Sequence, residues 1–175
     1  MLTTIDLCSM ALLKIGEKPI LSLNEETPTA AISRTLFDQS INYVLSLHPW
    51  KFATQKITLT KTDGGDFALP VNVLRVIDCD CALYQVSNNR VAAPVDTIEI
   101  TAIIKVNPEN MPSYFVNVAT LYLAREFCMP LTGDQNLLRT IAALYESELR
   151  AAKFIDSTMS NANDIENFSL ISARF

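Results

Sequence analysis

Near the start of the chain apolar residues recur at three- and four-residue steps, at Ile5, Cys8, Leu12 and Ile15, behind Thr3-Thr4 and ahead of Gly16. A hydroxyl before the stripe and a glycine after it predict a capped amphipathic helix over about 4–15. Thr27-Pro28 supplies the next N-cap with proline in the first turn, and Phe37, Ile41, Val44 and Leu45 carry a second stripe up to His48-Pro49. That predicts a helix over about 28–48. Pro112 opens a third stripe through Phe115, Ala119, Tyr122, Leu123 and Phe127, which Met129-Pro130 is expected to close, giving 112–129. The clearest stripe is Leu138, Ile141, Tyr145, Leu149 and Ala152, a fourth helix over about 134–157, with Glu146 placed to pair with Arg150.

Between the second and third helices, from about 51 to 106, the texture changes to β-branched and aromatic residues broken by turns. Ile57 and Leu59 alternate with Thr58 and Thr60, and Val73–Ile77, Ala82–Val86 and Ile98–Val106 read as further strands. Asp63-Gly64-Gly65 and Ser87-Asn88-Asn89 suit tight turns. The expected fold is mostly α with a β insertion (α+β): a four-helix bundle, a small antiparallel β-meander and an extended C-terminal tail. Residues 1–157 are read as one domain. From 158 a spacer rich in Ser, Asn and Asp leads to Phe168, Leu170, Ile171 and Phe175, an apolar end without a helical or strand period. Such a spacer cannot repay its own ordering, so 158–175 is expected to be a flexible docking tail.

Composition narrows the function classes. Hydrophobic residues make up 49% and charged ones 19%, which fits a chain that buries a core and not a disordered one. The formal net charge of -5, with no basic run, disfavours tight nucleic-acid binding but allows loose enclosure of DNA. No apolar run approaches the roughly 20 residues that span a bilayer, and Asp6 within the first apolar stretch does not suit a signal peptide. Cys8, Cys79, Cys81 and Cys128 follow no disulfide framework and read as reduced thiols of a cytoplasmic product.

Little in the sequence carries chemistry. His48 is the single histidine and is read as fixing the chain reversal with Pro49, while Trp50 and Phe52 anchor helix to strands. Asp78-Cys79-Asp80-Cys81 could offer two metal ligands, but zinc sites draw on a second cluster that is missing. With four glycines, at Gly16, Gly64, Gly65 and Gly133, no phosphate-cradling loop can be written. Glu25-Glu26 suits the positive end of the following helix. No catalytic residue, metal or cofactor is therefore expected. The alternative is a small cytoplasmic enzyme or regulatory binding module using His48 with a cysteine or with Asp78 or Asp80.

Several segments, taken in order, resemble head-to-tail adaptor proteins of tailed phages, the group that includes tail tubular protein A of short-tailed phages. They are Leu7-Cys8-Ser9-Met10-Ala11-Leu12-Leu13-Lys14-Ile15-Gly16-Glu17-Lys18-Pro19-Ile20 with Ser22-Leu23-Asn24-Glu25, then His48-Pro49-Trp50-Lys51-Phe52-Ala53. Leu69-Pro70 with Leu74-Arg75-Val76, Met111-Pro112 with Phe115, and Ser169-Leu170-Ile171-Ser172-Ala173-Arg174 follow. The resemblance implies a non-enzymatic virion protein made in the bacterial host cytoplasm and placed at the head-tail junction. It would be one subunit of a dodecameric ring that sits beneath the portal, extends the DNA channel and receives a tail nozzle or other tail protein. The expected portal-binding residues are Phe168, Leu170, Ile171, Arg174 and Phe175.

Overall fold

Local capping chemistry sets the helix ends. The computed structural model describes residues 1–62 and 64–159. In α1 (Thr4–Lys14) the Thr3 hydroxyl accepts from the Asp6 amide at 3.2 Å, and the Asp6 carboxylate accepts from the Thr3 amide at 2.8 Å. Two end donors are thereby satisfied reciprocally. Gly16, at φ +82°, closes the helix: its amide donates to Leu13 C=O and the Glu17 amide to Leu12 C=O, at 3.2 and 3.0 Å. α2 (Pro28–Ser46) starts on Thr27, which accepts from the Ala30 amide. Glu25 does not serve that helix. Its carboxylate turns back onto the Leu21 and Ser22 amides at 2.7 and 2.9 Å, because those loop donors lack other partners nearby.

α3 (Ser113–Thr132) runs through Pro130 and does not stop there. Proline deletes one donor, but this close to a helix end only the last turn is affected. That turn is held by Thr132 Oγ1 donating to Cys128 C=O at 2.7 Å and by Leu131 packing on the core. Gly133, at φ +65°, then ends the helix with its amide on Met129 C=O. α4 (Gln135–Thr158) begins on Asp134, whose carboxylate accepts from the Asn136 and Leu137 amides. Among the described residues Glu146 and Arg150 form no ion pair; both are exposed, where such a pair gains little over water. α3 is the central helix, contacted by α1, α2 and α4, and its Phe115, Val118, Leu123 and Phe127 are buried.

Four helices and antiparallel strands give the expected α+β class. The strands do not form one meander. They are β1 (Thr54–Thr60), β2 (Phe67–Ala68), β3 (Val73–Cys79), β4 (Gln85–Ser87), β5 (Arg90–Ala92) and β6 (Thr97–Ile104), in two sheets ordered β1-β6-β3 and β2-β5-β4. β6 takes the centre of the larger sheet because its alternation buries Ile98, Ile100 and Ala102 on one face. The Asp63-Gly64-Gly65 region links the two sheets and is not a hairpin between paired strands; Thr62 N–H bonds Asp66 C=O at 2.9 Å across it, and Asp63 itself lies outside the described residues. Ala82 and Leu83 sit in a bend ahead of β4 instead of a strand. Asn88 and Asn89, at φ 48° and 58°, do form the tight turn between β4 and β5.

Two cores result. Phe67 and Val91 of the small sheet close over Leu59, Ile98, Ile100 and Ala102 of the large one, while Ile103, the next residue of β6, belongs to the helical core. Gly133→Ala should cost about 1–2 kcal/mol, the strain of a left-handed alanine, because an added Cβ there meets nothing within 4 Å. Urea denaturation measures it; an unchanged midpoint would show that the α3–α4 corner relaxes freely.

Candidate functional site: the helix-to-sheet junction

The chain turns from α2 into β1 within seven residues, and the hydrogen bonds of the distant Asp156 converge here. The Trp50 amide donates to His48 C=O at 2.8 Å, bracketing Pro49 in a three-residue turn. Residues 51–53 then form a single tight helical turn leading into β1. Trp50 is fully buried, with its indole N–H donating to Val44 C=O at 3.2 Å. Its ring meets the His48 and Phe115 rings edge-on, at centroid distances of 4.7 and 5.1 Å. Phe52 adds an edge contact to Phe115 at 4.9 Å. These perpendicular arrangements are the favourable ones for ring quadrupoles, and they join the end of α2 to the first turn of α3.

Beneath the aromatic cluster lies a buried carboxylate. Asp156, near the end of α4, is 1% exposed. Its two oxygens accept from the Lys51 amide at 3.1 and 3.3 Å, one accepts from the Tyr114 hydroxyl at 2.9 Å, and the other lies 3.2 Å from His48 Nε2. A charge removed from water is tolerable only when hydrogen-bonded in this way. Burial, then the hydrogen bond to Asp156 and its charge, push the Tyr114 hydroxyl well above its ordinary value, so it remains a donor. The node thus ties together α2's end, the entry to β1, α3's start and α4's end.

The stripe that predicts α4 continues in register from Ala152 to Asp156, and that step was the available signal for a carboxylate on a buried face. Tyr114 and the Lys51 amide had no such signal, because their roles depend on long-range packing. The pairing of His48 with a cysteine or with Asp78 or Asp80 does not occur: its side-chain hydrogen-bond partner is Asp156. Asp78 accepts from the neighbouring Cys79 amide, and Cys81 Sγ lies 3.4 Å from Leu83 C=O, contacts that shape the end of β3. All four cysteines are free, and burial pushes the Cys8 thiol up to about 11. Among the described residues no group of three or more His, Cys, Asp or Glu could hold a metal ion. None of the described helices is long and apolar enough to cross a membrane. Phe168, Leu170, Ile171, Arg174 and Phe175 lie outside the described residues.

Removing the carboxylate should be costly. Asp156→Ala leaves the part-buried Tyr114 hydroxyl and Lys51 amide without their acceptor and is expected to cost about 3 kcal/mol in urea denaturation, against about 1 kcal/mol for Tyr114→Phe. The double variant should cost less than the sum, and strict additivity would show that the two groups do not act together. Trp50→Ala should cost about 3–5 kcal/mol by emptying the aromatic cluster. A melting temperature within a degree of the parent protein would contradict the packing described.

No curated protein sequence matches the chain. Among protein families, one described as tail tubular protein matches residues 5–161, a span that takes in all four helices, both sheets and the junction. The chain therefore belongs to the tail tubular protein family, a family of phage structural proteins.

Proposed function

We propose that the protein is a head-to-tail adaptor: one subunit of a dodecameric ring below the portal, at the head-tail junction, that extends the DNA channel and receives a tail nozzle or other tail protein. The observation that carries this reading is the family match over residues 5–161, which covers the helical and strand parts together. The formal net charge of -5 supports it, because a channel wall without clustered cations lets the phosphate backbone pass without sticking. The subunit is made in the bacterial host cytoplasm and enters the virion on assembly. His48, Pro49, Trp50 and Phe52 act as the structural junction that keeps helices and sheets in one rigid link.

In this proposal the last residues dock on the portal. Phe168, Leu170, Ile171 and Phe175 supply the apolar contacts, and Arg174 adds a charge-assisted hydrogen bond to a carboxylate or main-chain carbonyl. Ordering such a segment costs free energy that only the right surface returns, which makes docking a switch for assembly. The free subunit is then a monomer or small oligomer, and the ring forms on the portal. Deleting residues 165–175 should leave the melting temperature nearly unchanged while abolishing capture by purified portal rings, read by native mass measurement with and without portal. Equal capture of the truncated chain would contradict the docking role, and a stable large ring without portal would contradict the assembly order.

A further inference from the structure

The helical bundle presents two unlike grooves on opposite sides of α3. α2 and α4 both pack on α3, and a channel runs along α3 on each side. The first, of about 210 Å³, lies between α1 and α4 and is lined by Lys14, Asn117, Thr120, Leu121, Leu144 and Glu148. Leu144 is 51% exposed on its bank. Thr120 is 5% exposed, and its hydroxyl has no hydrogen-bond partner. The second groove, of about 280 Å³, lies between α2 and α3 and is lined in part by Leu36, Tyr43, Tyr122 and Glu126. There Tyr43 is 49% exposed yet held in place: its ring lies 5.4 Å from Tyr122, which is itself fixed against Tyr145 and under the Arg125 guanidinium. Thr120 and Tyr122 are two residues apart on one helix, about 200° around its axis, so the two grooves face away from each other.

We propose that these two sides are the subunit-to-subunit contact of the ring, with Tyr43 of one copy entering the α1–α4 groove of the next. This inference rests on the ring reading given above. A ring of more than two copies needs a heterologous interface, in which two different surfaces meet, and opposite sides of one subunit are what closure requires. The chemistry matches across the contact. A cavity of about 150 Å³ accepts a benzene ring, so the groove has room for a phenol, whose ring Leu121 and Leu144 cover. The charges are complementary as well. Lys14 meets Glu126 of the neighbouring copy, whose carboxylate also accepts from Arg125 of its own chain at 2.9 Å. Glu148 meets the flank of the neighbour's α4 that carries Arg139, Arg150 and Lys153 together with Glu146, a face of net positive charge. Apart from Glu148, the flank of α4 beside the groove runs through Thr140, Leu144, Ser147, Ala151 and Ile155 without a charge, so the neighbour's long cationic stems can lie along it.

The test is ring assembly on purified cognate portal rings, read as the number of subunits per portal by native mass measurement or electron microscopy. Leu144→Arg fills the groove and Tyr43→Ala removes the knob; both residues are half-exposed, so thermal melts should show the fold retained. Each variant is expected to require roughly thirtyfold more protein to complete the ring, the effect of losing an interfacial hot spot, whereas Tyr43→Phe, which keeps the aromatic ring, should assemble like the parent. Val71→Arg, at a fully exposed position of the strand section, serves as control and should assemble like the parent. Rings completed at parental concentration by Leu144→Arg or Tyr43→Ala would overturn the interface while leaving the ring reading intact. A parent protein that forms no ring on the portal would overturn both.

Discussion

The fold hangs on a buried negative charge. Asp156 accepts from the Lys51 amide, the Tyr114 hydroxyl and the His48 ring, and through them gathers the end of α4, the start of α3 and the passage from α2 to β1. A main-chain amide at the start of a helical turn has no partner within that turn and is satisfied by a side chain or by water. Here the partner comes from 105 residues later in the chain. The carboxylate supplies little net stability by itself, since burying it costs several kcal/mol. Its effect is geometric: the sheet can leave the bundle in one direction only, with Trp50 wedged between His48 and Phe115.

From that junction the larger sheet carries order outward. β6 serves both cores, giving Ile103 to the helices and Ile98, Ile100 and Ala102 to the space under the small sheet. The two parts share a strand and are not linked by a flexible connector, which suits a component that must hold a fixed distance between what binds its helices and what binds its sheets. The chain's place in the tail tubular protein family, a family of phage structural proteins, fits this architecture.

The sequence revealed what is governed locally. Thr3-Thr4 with Gly16, and Thr27-Pro28, marked helix ends, because capping depends on residues within a turn of one another. Asn88-Asn89 marked its turn for the same reason, both residues tolerating positive φ. Pro130 misled because a local breaker near a helix end costs only one hydrogen bond, and packing of the last turn outweighs it. The order β1-β6-β3 was not legible, since β1 pairs with residues some forty positions away. Asp156 stood in plain register with Ala152, yet an acidic residue on an apolar stripe reads equally as the helix running out. Only the Lys51 amide and the Tyr114 hydroxyl show why it is kept.

The central claim is that helices and sheets form one cooperative body through the Asp156 node, and native-state hydrogen exchange at the Lys51 amide tests it most directly. If the node holds the junction, that amide exchanges only through global unfolding, with the same free energy and denaturant dependence as buried amides of α3 such as those of Leu123 and Phe127. Exchange of Lys51 through a smaller opening, with the sheets detaching while α3 stays protected, would contradict the account.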